Sequence, residues 1–520
     1  MLVAAAEASG AANPRYGGTL RVEMRAATVS LDPREWQVGA LETASDEKLA
    51  ALIFERLVIL DNYGRFQPVL ATQWSHDASS KRWQFSIRAG VKFSDGADMT
   101  AADVVAALRP LFPGTQQISA AGNTIVVQSS VPVPDLLAQL ASGRYFVYRR
   151  LETGALLGTG PFVMGEAPAS AEQNRAKNST STPGDVPAGS ARRGHLLFSA
   201  NSDAWSGRPF LDAIDVTLGV PPLRAMFDLQ LGKADLIELA ADLVPRAKQA
   251  NLRIWSSEPV TLYGLRFDEA QPAAADVRLR EALALSLDRS TMANVLLQRQ
   301  AEPAAALLPQ WLSGYAFLFN VDTNLERAKE LRRAVPANEA AGAEPLHLRV
   351  DPPGDLAKLL GERVAVNARQ AAILVQVVNR PVTHPGAGSP VSAEPPIGLH
   401  LFVWHYSSLS SRAELDSLFA AYNLIERSEV NATRTDLEQL YERERRVLAD
   451  WRVLPLITEE DSIALGPPVR DWTPSPWGDW HLADVWLEPR EPAPAEASSP
   501  GGNAAQLLTQ PRASALGAKP

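Results

Sequence analysis

The sequence predicts an α/β protein that has several sheets rather than one continuous β–α alternation. Segments with apolar residues at every second position, typical of strands, are mixed irregularly with segments whose apolar residues recur at helical spacing. The chain has 520 residues, which suffice for about three domains at roughly 150 residues per domain. Because 46% of the residues are hydrophobic, the chain can bury several cores, and a mainly disordered protein is excluded.

Both periodicities occur in the first sixty residues. Leu20, Val22 and Met24 alternate with polar neighbours, which predicts a strand. Over 45–60 the apolar residues recur at helical spacing, and Ser45 is of the type that begins helices. The sequence therefore predicts a strand followed by a helix that begins near residue 45.

Three further elements are predicted with clear signals. In residues 83–87 Trp, Phe and Ile alternate with polar residues, which indicates a half-buried strand. Thr100 and Asp103 have the spacing of a capping box, in which each side chain bonds the other residue's backbone N–H at the start of a helix. A charged helix is predicted over 434–451.

Four segments have too few large apolar residues to form packed structure. We expect them to be unstructured or to form surface loops: 1–16, 166–194, 384–396 and 489–520. The first segment lacks the positive start and the long apolar core of a signal peptide, although Ala4, Ala6 and Ala8 suit a cleavage region. It is predicted to be either a disordered start or the remnant of an export signal.

Composition excludes several classes of function. The chain has no cysteine, which excludes disulfide bonds, thiolate zinc sites, iron–sulfur clusters and a cysteine nucleophile. The net charge is −9 without a run of Lys and Arg, which argues against nucleic-acid binding because phosphate neutralisation needs clustered positive charge. No stretch approaches about 18 uninterrupted apolar residues, so no membrane-spanning helix is predicted.

No catalytic motif is present. The sequence lacks the nucleophile elbow G-x-S-x-G and the phosphate-binding P-loop. Of the seven histidines only His400 and His405 are close, and their spacing does not match two metal ligands on one helix face. We therefore expect no metal site, no cofactor and no enzymatic activity.

The tryptophans are the residues best suited to contact a ligand, because an indole offers a broad apolar face and an N–H donor. The segment LHLFVWHY (399–406) begins as a strand and then breaks into a serine-rich stretch. Clefts of α/β proteins collect side chains at such strand ends. We therefore predict Trp404, His405 and Tyr406 as ligand contacts, and expect Trp404→Ala to weaken binding while leaving ligand-free stability nearly unchanged.

Several segments follow one another in the order found in a known family. They are LIFERLVILDNYGRFQPVLATQWSHDASSKRWQFSIRAGVKFSDGADMTAADVVAAL (52–108), GTGPFVM (158–164), FDLQLGKADLIEL (227–239), DVRLREALALSLDRSTMANVLL (276–297) and YERERRVLADWRVLPLI (441–457). From about Gly17 to Glu488 the chain resembles the extracellular solute-binding proteins of family 5, the peptide- and nickel-binding components of ABC importers. Arg278, Asp288 and Arg289 in the fourth segment are predicted to lie on one helix and to be structural.

The resemblance implies a two-lobed fold of the periplasmic-binding-protein type, which closes on its ligand about a hinge. Lobe I would comprise 17–258 and 457–488, with an extra subdomain over about 45–155. Lobe II would comprise 259–456. Such a protein would be a monomer outside the cytoplasm that binds a peptide or peptide-like solute and delivers it to a membrane permease and its ATPase.

The chain would cross between the lobes twice, in TLYGLRF (261–267) and just after VLPLI (453–457). Tyr263 and Arg266 lie on the first of these strands. Together with Trp36 of lobe I they complete the set of candidate ligand contacts.

The sequence departs from the family in three places. Peptide-binding members carry an acidic residue soon after the tryptophan of lobe II, which pairs with the peptide α-amino group. Here serines and a leucine occupy 407–411, and Asp416 is expected on the next helix. Asp268 replaces a usual asparagine, and the loop 166–194 is longer than usual. An oligosaccharide binder, a ligand sensor and a degenerate binding protein therefore stay open as alternatives, whereas a hydrolase lacks every motif sought.

Overall fold

The computed structural model describes residues 13–165, 194–320, 322–336, 345–352, 354–378, 395–424 and 436–489. Nearly all of the predicted loops and terminal segments therefore lie outside the described residues. Within the described ranges the protein combines one large sheet and four small ones with helices, as the sequence predicts.

The described α-helices are mostly short. In chain order they are α1 (Leu41–Ile53), α2 (Ala101–Leu108), α3 (Leu136–Leu140), α4 (Pro222–Gln230), α5 (Val244–Gln249), α6 (Pro272–Ala275), α7 (Val277–Ser286), α8 (Arg289–Thr291), α9 (Gln310–Ser313), α10 (Leu325–Ala334), α11 (Asp355–Gln370), α12 (Ser411–Ala421) and α13 (Asp436–Ala449). Single 3₁₀ turns occur at Arg109–Leu111, Ala241–Leu243 and Ala316–Leu318, and a π-helical turn at Met292–Leu296.

The described strands range from two to fifteen residues. They are β1 (Thr19–Glu23), β2 (Val58–Leu60), β3 (Phe66–Pro68), β4 (Ala71–His76), β5 (Arg82–Ile87), β6 (Gln116–Ala121), β7 (Thr124–Ser129), β8 (Arg149–Arg150), β9 (Leu156–Leu157), β10 (Phe162–Met164), β11 (His195–Ala200), β12 (Ala213–Thr217), β13 (Leu236–Leu239), β14 (Arg253–Phe267), β15 (Ala301–Pro303), β16 (Leu346–Val350), β17 (Val375–Val378), β18 (Leu399–His405), β19 (Val453–Leu465), β20 (Val469–Arg470) and β21 (Trp486–Leu487).

The large sheet runs in the order β10-β11-β12-β1-β13-β19-β14-β18-β16-β17, with β15 paired to β19. β1 is parallel to β12 and β13, and β16 is parallel to β17 and β18; the other neighbours are antiparallel. The long strands β14 and β19 pair with each other in the middle, and each also pairs with a strand of one half. These two strands are the segments predicted to cross between the lobes, whose exact boundaries stay a prediction.

The pairing of β14 with β19 is irregular at its centre. The register shifts between Ser256 and Pro259 and again between Pro259 and Thr261. Such bulges bend a strand and weaken its ladder locally. The irregularity lies at the predicted boundary between residues 258 and 259.

A second, four-stranded sheet belongs to the predicted subdomain. It has the antiparallel order β4-β5-β7-β6 and packs with α2 around a separate apolar core. The predicted capping box of α2 is confirmed, since Asp103 N donates to Thr100 Oγ1 at 3.3 Å and Thr100 N donates to Asp103 Oδ2 at 2.9 Å. The predicted strand over 83–87 is confirmed as part of β5.

Two helix predictions need correction. α1 begins at Leu41, so Ser45 lies inside it, and the carboxylate of Asp46 instead accepts a hydrogen bond from Ser30 N at 2.8 Å. Arg278 and Asp288 do not share a helix, because α7 ends at Ser286 and Asp288 caps α8. In both cases a short polar side chain serves a tertiary contact or a new helix start, which helical spacing does not reveal.

Candidate ligand-binding cavity

A small, partly open cavity lies where α1 approaches the end of β18. It measures about 30 Å³, enough for about two water molecules. From lobe I as predicted its walls include Ala44, Glu47, Lys48, Ala141, Ser142, Gly143, Asp461, Trp477, Gly478 and Asp479, and from lobe II Trp311, His405, Tyr406, Ser407 and Leu409. A ligand larger than this would enter only if the two walls separate.

The two walls are joined by hydrogen bonds from backbone N–H groups of lobe II. His405 N donates to the carbonyl of Gly39 at 2.9 Å, and Leu409 N donates to Ser142 Oγ at 3.0 Å. A Cβ atom on Gly39 would lie 2.1 Å from Cε3 of Trp404. The segments before α1 and after α3 therefore lie directly against the end of β18 and narrow the cavity.

The lobe I wall contains a buried network of charges. Lys48 Nζ lies 2.7 Å from Asp461 Oδ2 and 3.3 Å from Glu238 Oε1. Arg56 pairs with both carboxylate oxygens of Asp479, at 3.1 and 3.3 Å. Because a buried charge is costly unless it is paired, these residues are held in fixed positions at the cavity wall.

The protonation of this wall follows from its pairing. Burial on its own would raise the pKa of Asp461, but the ammonium of Lys48 outweighs it and lowers the pKa to about 2. The same carboxylates raise the pKa of Lys48 although burial opposes this. Lys48 and Asp461 are therefore both ionised at neutral pH.

Of the six predicted contact residues, His405 and Tyr406 line the cavity. The imidazole of His405 has Nδ1 3.3 Å from Thr261 Oγ1, and burial lowers its pKa to about 4, so the ring is neutral at pH 7. The hydroxyl of Tyr406 donates to the carbonyl of Leu307 at 2.5 Å. Both rings can therefore offer neutral contacts to a ligand.

Trp404 has a different environment from the predicted one. Its side chain is 1% exposed, belongs to an apolar core and does not line the cavity. Its indole N–H donates to Glu414 Oε1 at 2.5 Å, and Ser408 N donates to Glu414 Oε2 at 2.8 Å. The expectation that Trp404→Ala leaves ligand-free stability unchanged is therefore corrected, and the substitution should destabilise the ligand-free protein.

Glu414 also bears on the missing acidic residue of the serine-rich stretch. A carboxylate does lie next to Trp404, but its oxygens accept hydrogen bonds from the indole and the backbone within lobe II. Asp416 lies on α12 as predicted and pairs with Arg443 at 2.6 Å. Neither carboxylate lines the cavity.

The remaining three predicted residues lie away from the cavity walls. Tyr263 is 5% exposed and packs in the core of lobe II, where its hydroxyl bonds to Glu459. The guanidinium of Arg266 lies 6.0 Å from the ring centre of Tyr422. Trp36 donates its indole N–H to the carbonyl of Ser30 at 2.9 Å. Their positions on alternating strand faces and in a loop explain the miss, because sequence alone does not show which face borders the cavity.

Sequence reasoning missed most of the cavity wall. Trp311 and Trp477 stack at 6.1 Å with an angle of 25° and both line the cavity. Lys48 and Glu47 lie in α1 among Ser45 and Asp46, all buried although polar. A run of four polar residues followed directly by the apolar second half of α1 was the available signal.

The geometry defines a class of protein, namely two-lobed proteins with a ligand cavity between the lobes. A family model, bacterial extracellular solute-binding proteins, family 5 (middle), matches residues 65–379. The chain belongs to this family.

Relatives with assigned names agree. Oligopeptide-binding protein AppA of Bacillus subtilis is 25% identical over 267 residues, 48% of this chain and 47% of the relative. The nickel-binding periplasmic protein of Escherichia coli is 23% identical over 254 residues, 46% of this chain and 47% of the relative. The chain thus spans about half the length of the curated relatives it matches.

Solved structures share the fold over almost the whole chain. AppA of Bacillus subtilis, in complex with a nonapeptide, superposes with a TM-score of 0.66 at 16% identity and covers 92% of this chain and 100% of its own. A dipeptide-binding protein of Pseudoalteromonas sp. SM9913, in complex with Met-Leu, gives 0.70 at 15% identity and covers 91% and 100%. The predicted two-lobed fold is confirmed.

Two kinds of feature are missing from the described residues. None of the described helices combines the length and apolar character needed to cross a bilayer. Within the same ranges, no three His, Asp or Glu side chains are grouped as metal ligands would be.

Proposed function

We propose that this protein is an extracytoplasmic solute-binding protein that captures a peptide or peptide-like solute between its lobes and delivers it to the permease of an ABC importer. Its family membership supports this proposal, as do the names of relatives that bind oligopeptides. Delivery to a permease and a location outside the cytoplasmic membrane follow from the family and belong to the proposal.

The observation that carries the proposal is the cavity between the predicted lobes. Its walls combine fixed charges, serine hydroxyls and stacked aromatic rings. Ligand sites of this kind bury a solute between mostly preformed walls, with a few polar groups that fix its orientation. The walls are joined by backbone and serine hydrogen bonds and by the stacked tryptophans, and a peptide could replace the backbone bonds with its own.

The proposed movement is a hinge at the two long strands. We take lobe I as 17–258 with 457–488, and lobe II as 259–456. The irregular pairing of β14 around Pro259 supports a bend at this boundary. Two adjacent crossings would restrict the lobes to a nearly rigid-body closure.

Within this proposal, His405 and Tyr406 are the predicted residues that contact the ligand. Trp404 positions them, because it fixes the end of β18 through Glu414. Tyr263, Arg266 and Trp36 support the two lobes without contacting the solute. Tyr406→Phe is the mild test, since it removes only the hydroxyl that donates to Leu307.

An oligosaccharide is a second candidate ligand. The stacked pair of Trp311 and Trp477 offers flat apolar surface at the cavity wall, on which a sugar ring could stack. Stacking on an indole does not require the charged groups of the wall. Peptide and sugar probes therefore separate the two candidates.

The test is native mass spectrometry with a thermal-shift screen. The purified protein would be incubated with a peptic digest of casein or with a mixture of maltose- and cellulose-derived oligosaccharides. We expect added masses of peptides and a raised melting temperature with the digest alone, because a ligand that binds the folded state stabilises it. Retention of sugars alone would favour the second candidate, and retention of neither would refute both.

A further inference from the structure

Glu47 carries the one carboxylate of the cavity wall that has no bonded cation among the described residues. It is 8% exposed, it lines the cavity, and its Oε1 has no hydrogen-bond partner. Gly143 lies so close that a Cβ there would be 2.1 Å from Glu47 Oε2. The absence of a side chain at Gly143 therefore gives this carboxylate its space.

The other charges of the wall already have partners. Lys48 is bonded to Asp461 and Glu238, and Asp479 is bonded to Arg56. A buried carboxyl oxygen without a donor is unfavourable, and more so when the group is charged. Since Glu47 lies at the cavity wall, a ligand entering there can supply the missing donor.

We propose that Glu47 selects ligands that carry a positively charged nitrogen, an ammonium or a guanidinium group, and binds that group in the cavity. The inference rests on the proposed function, namely that a peptide or peptide-like solute binds between the lobes. It assigns the recognition of positive charge to α1 of lobe I. The carboxylates of lobe II near Trp404 are already bonded and do not line the cavity.

The charge balance around Glu47 agrees with a cationic ligand. Burial raises the pKa of Glu47 to about 8, so it is mostly protonated at pH 7 without ligand. The charged and titratable groups that face it or line the same cavity are Arg56, Asp479, Glu414, Asp46, Lys48, Asp461 and His405. Asp461 and Asp479 are balanced by Lys48 and Arg56, burial raises the pKa of Asp46 and Glu414 to about 7 so that both are only partly ionised, and His405 is neutral. The set therefore has no excess positive charge that would oppose a bound cation.

A bound cation would stabilise the ionised form of Glu47. Binding would then lower its pKa and release a proton. For a peptide whose cation is a Lys or Arg side chain, affinity should therefore rise several-fold between pH 7 and pH 8 in the wild type, and this rise should be smaller in Glu47→Gln. A peptide bound through its α-amino group should show little rise, because that group, with an ordinary pKa of about 7.7–8.0, loses its own charge in the same range. Calorimetry of a retained peptide in two buffers of different ionisation enthalpy would measure the released proton directly.

The main experiment uses the full chain and a peptic digest of casein, either untreated or acetylated with acetic anhydride. Acetylation removes the charge of every amine and leaves guanidinium groups unchanged. We expect the wild type to retain peptides from the untreated digest and, from the acetylated digest, at most those that contain arginine. If the retained peptides are enriched in Lys or Arg at one position, the positive charge that Glu47 binds is that of a basic side chain. If they show no such enrichment, it is that of the amino terminus.

Two isosteric variants give the matched comparison. Glu47→Gln should weaken retention about tenfold or more, because a charge-assisted hydrogen bond is lost. Glu444→Gln should leave retention unchanged, because Glu444 is equally buried but accepts hydrogen bonds from Leu308 N at 3.2 Å and the hydroxyl of Tyr315 at 2.9 Å, away from the cavity. Thermal unfolding would verify that both variants are folded.

The outcomes separate this inference from the function on which it rests. If the wild type retains acetylated, arginine-free peptides as well as it retains untreated peptides, the role of Glu47 is overturned and peptide binding stands. This comparison does not depend on any variant. Unchanged retention by Glu47→Gln would do the same. No retention of any peptide by the wild type would overturn the proposed function and this inference together.

Discussion

Replacing Gly39 by alanine tests whether the lobes close through direct contact. The new methyl group would lie 2.1 Å from Cε3 of Trp404, whereas carbon atoms in ordinary contact are about 3.5–4.0 Å apart. Trp404 cannot move easily, because it is buried and bonded to Glu414. The lobes would therefore have to separate by about 1.5 Å at this point, which would break the hydrogen bond from His405 N to Gly39.

A second glycine provides the control. Gly39 has φ +79°, and Gly90 has φ +76° with no atom within 4 Å of the position that a Cβ would take, so both variants carry the same backbone cost. Alanine in this left-handed region is unfavourable by about 1–2 kcal/mol. Both variants should thus lose similar stability from the backbone, and only Gly39→Ala should also open the lobes.

The absence of cysteine makes the measurement direct. Fluorophores at Lys233→Cys on lobe I and Lys358→Cys on lobe II, whose side chains are 67% and 62% exposed, would report the distance between the lobes by energy transfer. We expect a longer distance and at least about tenfold weaker peptide binding for Gly39→Ala, since 1.4 kcal/mol corresponds to tenfold. Identical distances and affinities for Gly39→Ala and Gly90→Ala would refute the closed contact.

Three further predictions concern stability and are measured by urea unfolding. Trp404→Ala should lower the free energy of unfolding by about 3–5 kcal/mol, because it leaves a core cavity and removes the indole donor of Glu414 Oε1; a loss below about 1 kcal/mol would contradict its buried position. Lys48→Met should cost about 3–5 kcal/mol by leaving two buried carboxylates, whereas Lys92→Met, which removes an exposed pair, should have little effect. Finally, the free energy of unfolding should fall as pH rises from about 4.5 to 8, because the native state then holds protons that the unfolded chain has released. Glu444→Gln should reduce this slope. A free energy of unfolding that does not change with pH in this range would contradict the prediction. The carboxyls whose pKa burial raises to about 7 or 8 are Asp46, Glu47, Glu55, Glu414, Glu444 and Glu459.

Signals that depend on neighbouring residues were read correctly from the sequence. The capping box of Thr100 and Asp103 and the alternation in 83–87 involve contacts within a few residues, and both appear as predicted. The family could be recognised because its segments follow in a fixed order along the chain. Helix ends were less accurate: at α1, Asp46 bonds to Ser30 rather than marking the helix start.

The cavity depends on residues that are far apart in the chain. Lys48 meets Asp461, and Arg56 meets Asp479, across more than four hundred residues. No local pattern marks such pairs, because a charged residue in a helix or strand is usually solvated. The run of buried polar residues in α1 becomes meaningful only once the sheet brings β19 against it.

The sequence by itself determined the α/β class, the family and two of the cavity residues, His405 and Tyr406. Tertiary structure decided which side of β18 faces the cavity. Successive side chains of a strand point to opposite faces, so Trp404 enters the core of lobe II while its neighbour His405 reaches the cavity. It also decided that, among the described residues, Glu47 is the wall carboxylate without a bonded cation, because the partners of the other wall charges come from distant segments that only folding brings together.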